Sequence, residues 1–398
     1  MTKMAFYIVA LVAIFSSAGC NTQPVKLVAT ERNEASDLET TIKALGHDLA
    51  LQMSNVAKGS GKSDRKRIVL IDRFVDSQSG QVTAAFRRIS NQLPDVMSPQ
   101  LDGFDIRSMQ SADVTTADYV LSGSIALEGH IDQQKNYRIF ASVTDIKSGM
   151  VVANARVWLR ATRELDTTPE AAYGDSPVYL SDQATAALIT TTKTLPGARA
   201  DDAYIASLNT NALLNEAEDS YNRGDLQAAL QMYAEAAKRV DGQVMRTYSG
   251  LYLLHNKAGN REGTERAFSE LIGLGLGMQQ ISVKFLFKVA STAFMEDPKQ
   301  SSQYGMWIRQ ISKQVAARNV CLEVLGHTSR TGSDSFNERL SLQRAEVISR
   351  TLVQHEASLQ KKIRPIGLGS SKNIISSGTN DARDAIDRRV EFKVVACG

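Results

Sequence analysis

The chain is poor in the groups that most site chemistry needs. Its five histidines are scattered with no close pair, so the ligand spacing of a transition-metal site is missing. Its acidic residues are too dispersed to nominate two carboxylates flanking a cleft. No Gly-x-Ser-x-Gly elbow occurs, and His327 near Ser329 is a sequence neighbour, which is no evidence of a triad. These absences argue against an enzyme and against a bound cofactor. A formal net charge of +3 is too weak to suggest nucleic acid, and no basic run carries interleaved aromatics. Beyond Cys20 no apolar run is long enough to cross a bilayer. The stretch Lys58-Gly59-Ser60-Gly61-Lys62-Ser63 invites comparison with a phosphate-binding loop, but Val56 stands where that loop needs a glycine. It also follows a helical pattern and precedes a strand, the reverse of the required order, so it reads as a flexible connector.

What is present is enough chain for two or three hydrophobic cores: 398 residues, 43% hydrophobic and 22% charged. One basic residue, Lys3, precedes an apolar run over residues 4–15, which breaks into Ser16-Ser17-Ala18-Gly19-Cys20. Small residues directly before a cysteine resemble the bacterial lipobox, in which the cysteine is diacylated and becomes the mature N-terminus. Ser17 replaces the usual leucine three before it. Two other readings remain open: an ordinary signal peptide that contains a cysteine, and an uncleaved anchor. Asn21 after Cys20 implies, by the lipoprotein sorting pattern, the outer membrane, held by acyl chains and facing the periplasm. Residues 1–19 are then a signal peptide, Cys20 the lipidation site and residues 20–34 a polar tether. With Cys20 lipidated, Cys321 and Cys397 remain as a pair, at the start of one expected strand and the end of another. In an oxidising periplasm they form a disulfide closing the C-terminal region; two buried free thiols are the alternative.

Residues 35–53 carry Leu38, Ile42, Leu45, Leu49 and Met53 at helical spacing. A strand over residues 67–72, a helix over 81–93, a strand over 104–108 and a strand from 118 follow. Residues 137–145 alternate, turn at Lys147-Ser148-Gly149 and return over 151–158 as a hairpin. This order, with Ala117-Asp118-Tyr119-Val120-Leu121-Ser122-Gly123 and Val143-Thr144-Asp145-Ile146-Lys147-Ser148-Gly149 as its best-marked stretches, resembles the α/β domain shared by the FlgO, CsgG and LpoB lipoproteins. The resemblance covers residues 35–160 and implies binding of an envelope protein partner, or oligomerisation. Residues 161–207 are rich in Thr, Ala and Asp, with Pro169, Pro177 and Pro196, and read as a linker with one short helix at 181–189. Over residues 208–275, Gly259-Asn260 and Phe268 repeat Gly224-Asp225 and Tyr233 at an offset of 35, which resembles two tetratricopeptide repeats. Two units are short for a solenoid, so the pair is expected to lean on a neighbour.

Near the C-terminus Cys321-Leu322-Glu323-Val324-Leu325 ends at Gly326 and enters His327-Thr328-Ser329-Arg330-Thr331-Gly332, a strand running into a polar turn. From 335 to 354, Phe336, Leu340, Val347, Ile348 and Leu352 fall at helical spacings, and Asn337 and Arg344, seven apart, share a side. Strand-end hydroxyls, an amide and a guanidinium are thereby brought to one place, and guanidinium suits planar recognition of a carboxylate. Asp387-Arg388-Arg389-Val390-Glu391-Phe392 closes the region. These three blocks resemble the OmpA-like peptidoglycan-binding domain over residues 281–398, with a first strand at 281–287 and a first helix at 304–317. The resemblance implies that the loop aspartate and the helix arginine of the family hold the ammonium and carboxylate of diaminopimelate in the peptide stem. Arg344 matches that arginine; Ser329 stands in the aspartate's place and Asp387 in that of the family's asparagine. Thr328, Ser329, Asn337, Arg344 and Arg388 are the expected peptidoglycan-binding residues, with Asp334 a possible substitute carboxylate.

The expectation is an α/β multidomain protein: an N-terminal α/β lipoprotein domain, an α-helical tetratricopeptide-like pair and a C-terminal OmpA-like α/β sandwich. It binds peptidoglycan non-covalently while anchored to the outer membrane, and tethers or scaffolds an envelope assembly. The alternative is a secretion, assembly or wall-synthase regulatory component acting through the N-terminal α/β domain.

Overall fold

The computed structural model describes residues 28–59, 65–129, 135–162, 164–296, 301–373 and 387–397. The apolar leader, Cys20 and residues 21–27 of the expected tether lie outside the described residues.

The first unit is a six-stranded sheet. Its strands are β1 (Thr30–Ser36), β2 (Arg67–Asp76), β3 (Phe104–Ser108), β4 (Tyr119–Gly129), β5 (Lys135–Asp145) and β6 (Val151–Leu159), in the order β1-β6-β5-β4-β2-β3. Helices α1 (Leu38–Gly59) and α2 (Ala84–Met97) cover one face. Leu45, Leu49, Met53, Phe86, Ile89 and Leu93 close over Val69, Ile71, Leu121, Ile139 and Val143 in one apolar core. The β5–β6 turn forms as its chemistry dictates: Gly149 takes φ +70, and Asp145 Oδ1 accepts from Ser148 N at 2.8 Å.

Two segments depart from expectation here. Residues 30–34, expected as tether, belong to β1, which pairs in parallel with β6. The segment Thr-Glu-Arg-Asn-Glu lacks apolar alternation because an edge strand is held by backbone pairing, and Arg32 reaches Asp48 of α1 with bonds of 2.7 and 2.6 Å. Residues 161–207, expected as a linker with one short helix at 181–189, form α3 (Ala171–Gly174), α4 (Gln183–Lys193) and α5 (Asp202–Ala206), and α4 covers the sheet's second face. Their seam is polar, so no apolar stripe betrays it. Ser142 Oγ donates to Thr191 O at 3.0 Å, Asn154 Nδ2 to Thr192 O at 2.9 Å, and the Ser124 and Thr192 hydroxyls lie 2.6 Å apart.

Helices α6 (Leu208–Asn222), α7 (Leu226–Ala237), α8 (Met245–Lys257) and α9 (Arg261–Gly277) follow. The 35-residue offset is visible in their turns. Gly224 and Gly259 adopt φ +83 and +68, and Asp225 and Asn260 then cap α7 and α9 by accepting from Ala228 N and Gly263 N. Gly250 lets α8 press on Tyr233, since a Cβ there would sit 2.2 Å from the ring.

The last unit contains β7 (Gln280–Val283), α10 (Tyr304–Arg318), β8 (Cys321–Gly326), α11 (Asp334–His355), β9 (Ile363–Gly367) and β10 (Val390–Val395), with sheet order β7-β10-β8-β9. Cys321 and Cys397 are joined, with 5.3 Å between their Cα atoms. The helical region leans on this unit: Trp307 of α10 stacks on Phe268 with centroids 5.5 Å apart and donates to Tyr252 OH at 2.9 Å. The segment before α4 also docks here, Tyr179 N bonding Ser282 O and Lys284 N bonding Pro177 O along the β7 edge.

Ionic contacts lock the first unit to the helices. Arg73 of β2 pairs with Glu218 and Asp219 of α6; Glu218 also receives Arg246 at 2.7 Å and Tyr173 OH at 2.8 Å. Glu218→Ala removes the carboxylate that Arg246 uses and leaves Arg73 with Asp219 alone, and is expected to destabilise by ~3–5 kcal/mol, read by denaturant unfolding. Lys284 is buried and donates to Tyr173 O at 2.7 Å; burial pushes it down to about 7 from its ordinary 10.5. The folded chain therefore releases this proton before the unfolded chain does, and stability rises between those two pH values. In Lys284→Met that rise is expected to vanish from melting curves taken across pH 7 to 10.5.

Candidate functional site

The site forms where β8 ends. Residues 321–326 are buried throughout, and Gly326 is required by packing: a Cβ there would lie 2.0 Å from Ser341 O of α11. The helix thus rests directly on the strand end. The following loop is pinned from two sides, His327 N donating to Arg389 O at 3.1 Å and Thr328 N to Gly369 O at 2.9 Å. With the Asn373 amide turned to satisfy its neighbours, its nitrogen donates to Thr328 O at 2.8 Å and its oxygen accepts from Arg330 N at 3.1 Å. Ser333 then caps α11 by accepting from Phe336 N, and Leu340, Ile348 and Leu352 turn inward while Phe336 stays exposed.

All five expected residues come to this corner, and all are buried: Thr328, Ser329, Asn337, Arg344 and Arg388 are 2, 6, 2, 1 and 6% exposed. Asp334 does not join them; it is exposed in the first turn of α11. Among the described residues Arg344 donates only to carbonyls. Its Nε donates to Ser291 O at 3.0 Å, one terminal nitrogen to Lys288 O at 3.0 Å and the other to His327 O at 3.4 Å. Its guanidinium also lies 4.8 Å from the centre of the Phe287 ring. Burial, reinforced by the neighbouring Arg388, pushes Arg344 down to about 10.

Two of these carbonyls, those of Lys288 and Ser291, come from the residues directly after the strand expected over 281–287. The strand ends at Val283, and residues 285–295 fold back instead: Met295 N bonds Leu286 O, Lys288 N bonds Ala293 O, and Phe287 pairs with Phe294. Ring contacts pin the base, with Phe294 4.8 Å from Tyr304 and 5.2 Å from Phe287. At the tip Ala290 takes φ +52, a conformation costly for a residue with a Cβ. The tip lies across Arg344 as a strap. The apolar run of residues 281–287 hid this turn, because Phe285 and Phe287 fill the core like strand residues.

Beside the site, burial would raise Glu391, but His327 and Arg389 outweigh it and hold Glu391 down at about 2. Arg389 bonds it at 2.8 Å through Nε. Burial lowers His327, and neither ring nitrogen has a hydrogen-bond partner among the described residues. The same holds for Thr328 Oγ1 and Asn337 Nδ2. Among the described residues no group of three or more His, Cys, Asp or Glu is arranged to hold a metal ion.

The OmpA family profile matches residues 286–387. Outer membrane porin F of Pseudomonas fluorescens is 37% identical over 83 residues, 21% of this chain and 24% of that protein. Its counterpart from Pseudomonas aeruginosa is 33% identical over 84 residues, 21% and 23% of the two chains. The chain thus spans about a quarter of the length of the curated relatives it matches. Among solved structures, the peptidoglycan-associated lipoprotein from Burkholderia pseudomallei is 20% identical, with a TM-score of 0.24, over 30% of this chain and 93% of that one. The cell wall anchor of the T6SS from Pseudomonas aeruginosa is 18% identical, with a TM-score of 0.25, over 29% and 80%. The strand-end corner around Arg344 therefore lies within a C-terminal OmpA family domain.

Proposed function

We propose that this chain binds peptidoglycan non-covalently through the corner around Arg344 and is anchored at its other end to the outer membrane by acyl chains on Cys20. The observation that carries the reading is the state of Arg344. A guanidinium taken out of water costs several kcal/mol unless paired, and here, among the described residues, only carbonyls and a ring face receive it. A buried cation that meets only carbonyls and a ring face among the described residues suits an anion from outside, and the carboxylates of the peptide stem supply one. The OmpA family match over residues 286–387 supports the same ligand.

In this reading the N-terminal sheet serves as a FlgO-, CsgG- or LpoB-like partner domain and α6–α9 act as tetratricopeptide-like repeats between it and the wall. The whole chain then tethers or scaffolds an envelope assembly, with Cys321–Cys397 closing the C-terminal domain. Its role in binding and scaffolding is non-enzymatic.

Sedimentation of the purified full chain with sacculi tests the ligand. Arg344→Ala is expected to leave the chain in the supernatant while its circular dichroism stays native-like; full retention on sacculi removes this site from the reading. Ser329→Asp is expected to bind sacculi more tightly than the natural chain, because a carboxylate in the loop can receive an ammonium by a charge-assisted bond worth about tenfold or more.

A further inference from the structure

We propose that the open part of the first sheet's second face, where Arg138, Arg156 and Lys193 crowd one aromatic ring, docks on anionic phospholipid headgroups of the anchoring membrane. The proposal rests on the Cys20 anchor for its place in the envelope and adds a second, electrostatic contact to it.

Helix α4 packs on this face through Thr191 and Thr192 and ends at Lys193. Past that end the face continues through Arg138 and Phe140 of β5 and Arg156 and Trp158 of β6, which alternate with the core residues Ile139, Ala141, Ala155 and Val157. Three cations meet at Phe140. Lys193 Nζ lies 4.9 Å from the ring centre, and the guanidinium groups of Arg138 and Arg156 lie 5.1 and 5.8 Å from it. Arg138 also lies 5.3 Å from the centre of the Trp158 ring. Glu31 and Glu128 both pair with Arg138. Among the described residues no carboxylate pairs with Arg156 or Lys193; Arg156 donates to Lys193 O at 3.4 Å, and its Nε is buried without a partner. Lys193 is exposed and Arg156 half-buried, and Leu195, two residues on, is 52% exposed. A ring attracts a cation from beneath without neutralising it, so both charges stay available to an anion approaching from solvent. Cations spread over a sheet face suit a plane of phosphates, whereas a single small ligand needs a concavity.

The chain enters the unit beside this patch. Thr30 and Glu31 of β1 pair with Ala155 and Arg156, and Thr30 lies ten residues after Cys20. At no more than roughly 3.5 Å per residue, Thr30 stays within about 35 Å of an acylated Cys20. Such a tether keeps the patch at high effective concentration beside the headgroups, where each Lys or Arg is worth about fivefold in partition to an anionic surface.

The test takes the chain from residue 20 onward, which keeps every described residue, with Cys20→Ser so that no acyl chain contributes. This parent chain is sedimented with vesicles of phosphatidylcholine containing phosphatidylglycerol, and with vesicles of phosphatidylcholine alone. It is expected to favour the anionic vesicles by about tenfold or more, and Arg156→Gln with Lys193→Gln is expected to lower that partition by about tenfold or more. Arg156→Lys with Lys193→Arg keeps both charges and is expected to stay within about threefold of the parent, which separates charge from a folding defect. Equal partition of the parent to the two kinds of vesicle, or of the parent and the double Gln variant to the anionic ones, overturns the proposal. Retention on immobilised polyglutamate without vesicle binding also overturns it, in favour of an acidic protein segment. The mass of the mature N-terminus from cells reads the anchor separately. An unacylated Cys20 overturns the anchor and the placement of the patch together; an acylated Cys20 with no preference for anionic vesicles overturns the patch alone.

Discussion

A guanidinium sealed from water, with no carboxylate bonded to it among the described residues, is the constraint around which the C-terminal domain is arranged. Arg344 cannot be left among apolar atoms, because an unpaired buried cation is among the most costly groups a fold can contain. The domain offsets that cost with three backbone carbonyls and the face of Phe287. Those carbonyls come from two separate segments, the 288–291 strap and the strand end at His327, while the guanidinium comes from a third, α11. Each must therefore be fixed independently, which explains why the aromatic cluster of Phe285, Phe287, Phe294, Tyr304 and Trp307 sits directly behind the strap.

Positioning extends well beyond the domain. Trp307 joins the strap's aromatic support to Phe268 and Tyr252 of the helical region, and α6 of that region is tied to the first sheet through Arg73 and Glu218. The segment between the sheet and the helices completes the circuit, since it lies along β7 and receives the Lys284 ammonium. A long side chain buried at such a junction is held by geometry, and removing its charge changes how the junction responds to pH more than how it is packed.

Much of this was legible in the sequence, and what was not has physical causes. Helix spacing placed α11 within a residue or so at each end, because Leu340, Ile348 and Leu352 form a regular inward stripe. The 35-residue offset gave matching turns because glycine followed by a capping Asp or Asn has one dominant conformation. The short helix expected at 181–189 is present as α4, but its docking on the sheet was harder to foresee: the Thr191 and Thr192 carbonyls accept from Ser142 and Asn154 of the sheet, and hydrophobic periodicity cannot register a polar seam. The strap was misread for the opposite reason. Phe285 and Phe287 alternate as strand residues do, yet they alternate against an aromatic cluster and not across a ladder. Sequence reasoning brought Asn337 and Arg344 to one face correctly, but spacing carries no information about depth, and both lie far from solvent.

That depth decides how the site can work. As described, the corner is closed, and in the proposed reading a stem carboxylate reaches Arg344 by taking the places now held by Lys288 O and Ser291 O. The exchange favours the ligand on two counts. A carboxylate bonded to guanidinium is roughly twice as strong a partner as a neutral carbonyl, and the strap tip is held in a left-handed turn at Ala290, a conformation that costs of order 1–3 kcal/mol outside glycine. The tip also carries Val289, 57% exposed, so little apolar burial holds it down. A firm aromatic base and a weakly held tip give the arginine a neutral partner in the absence of ligand and a route to a charged one in its presence.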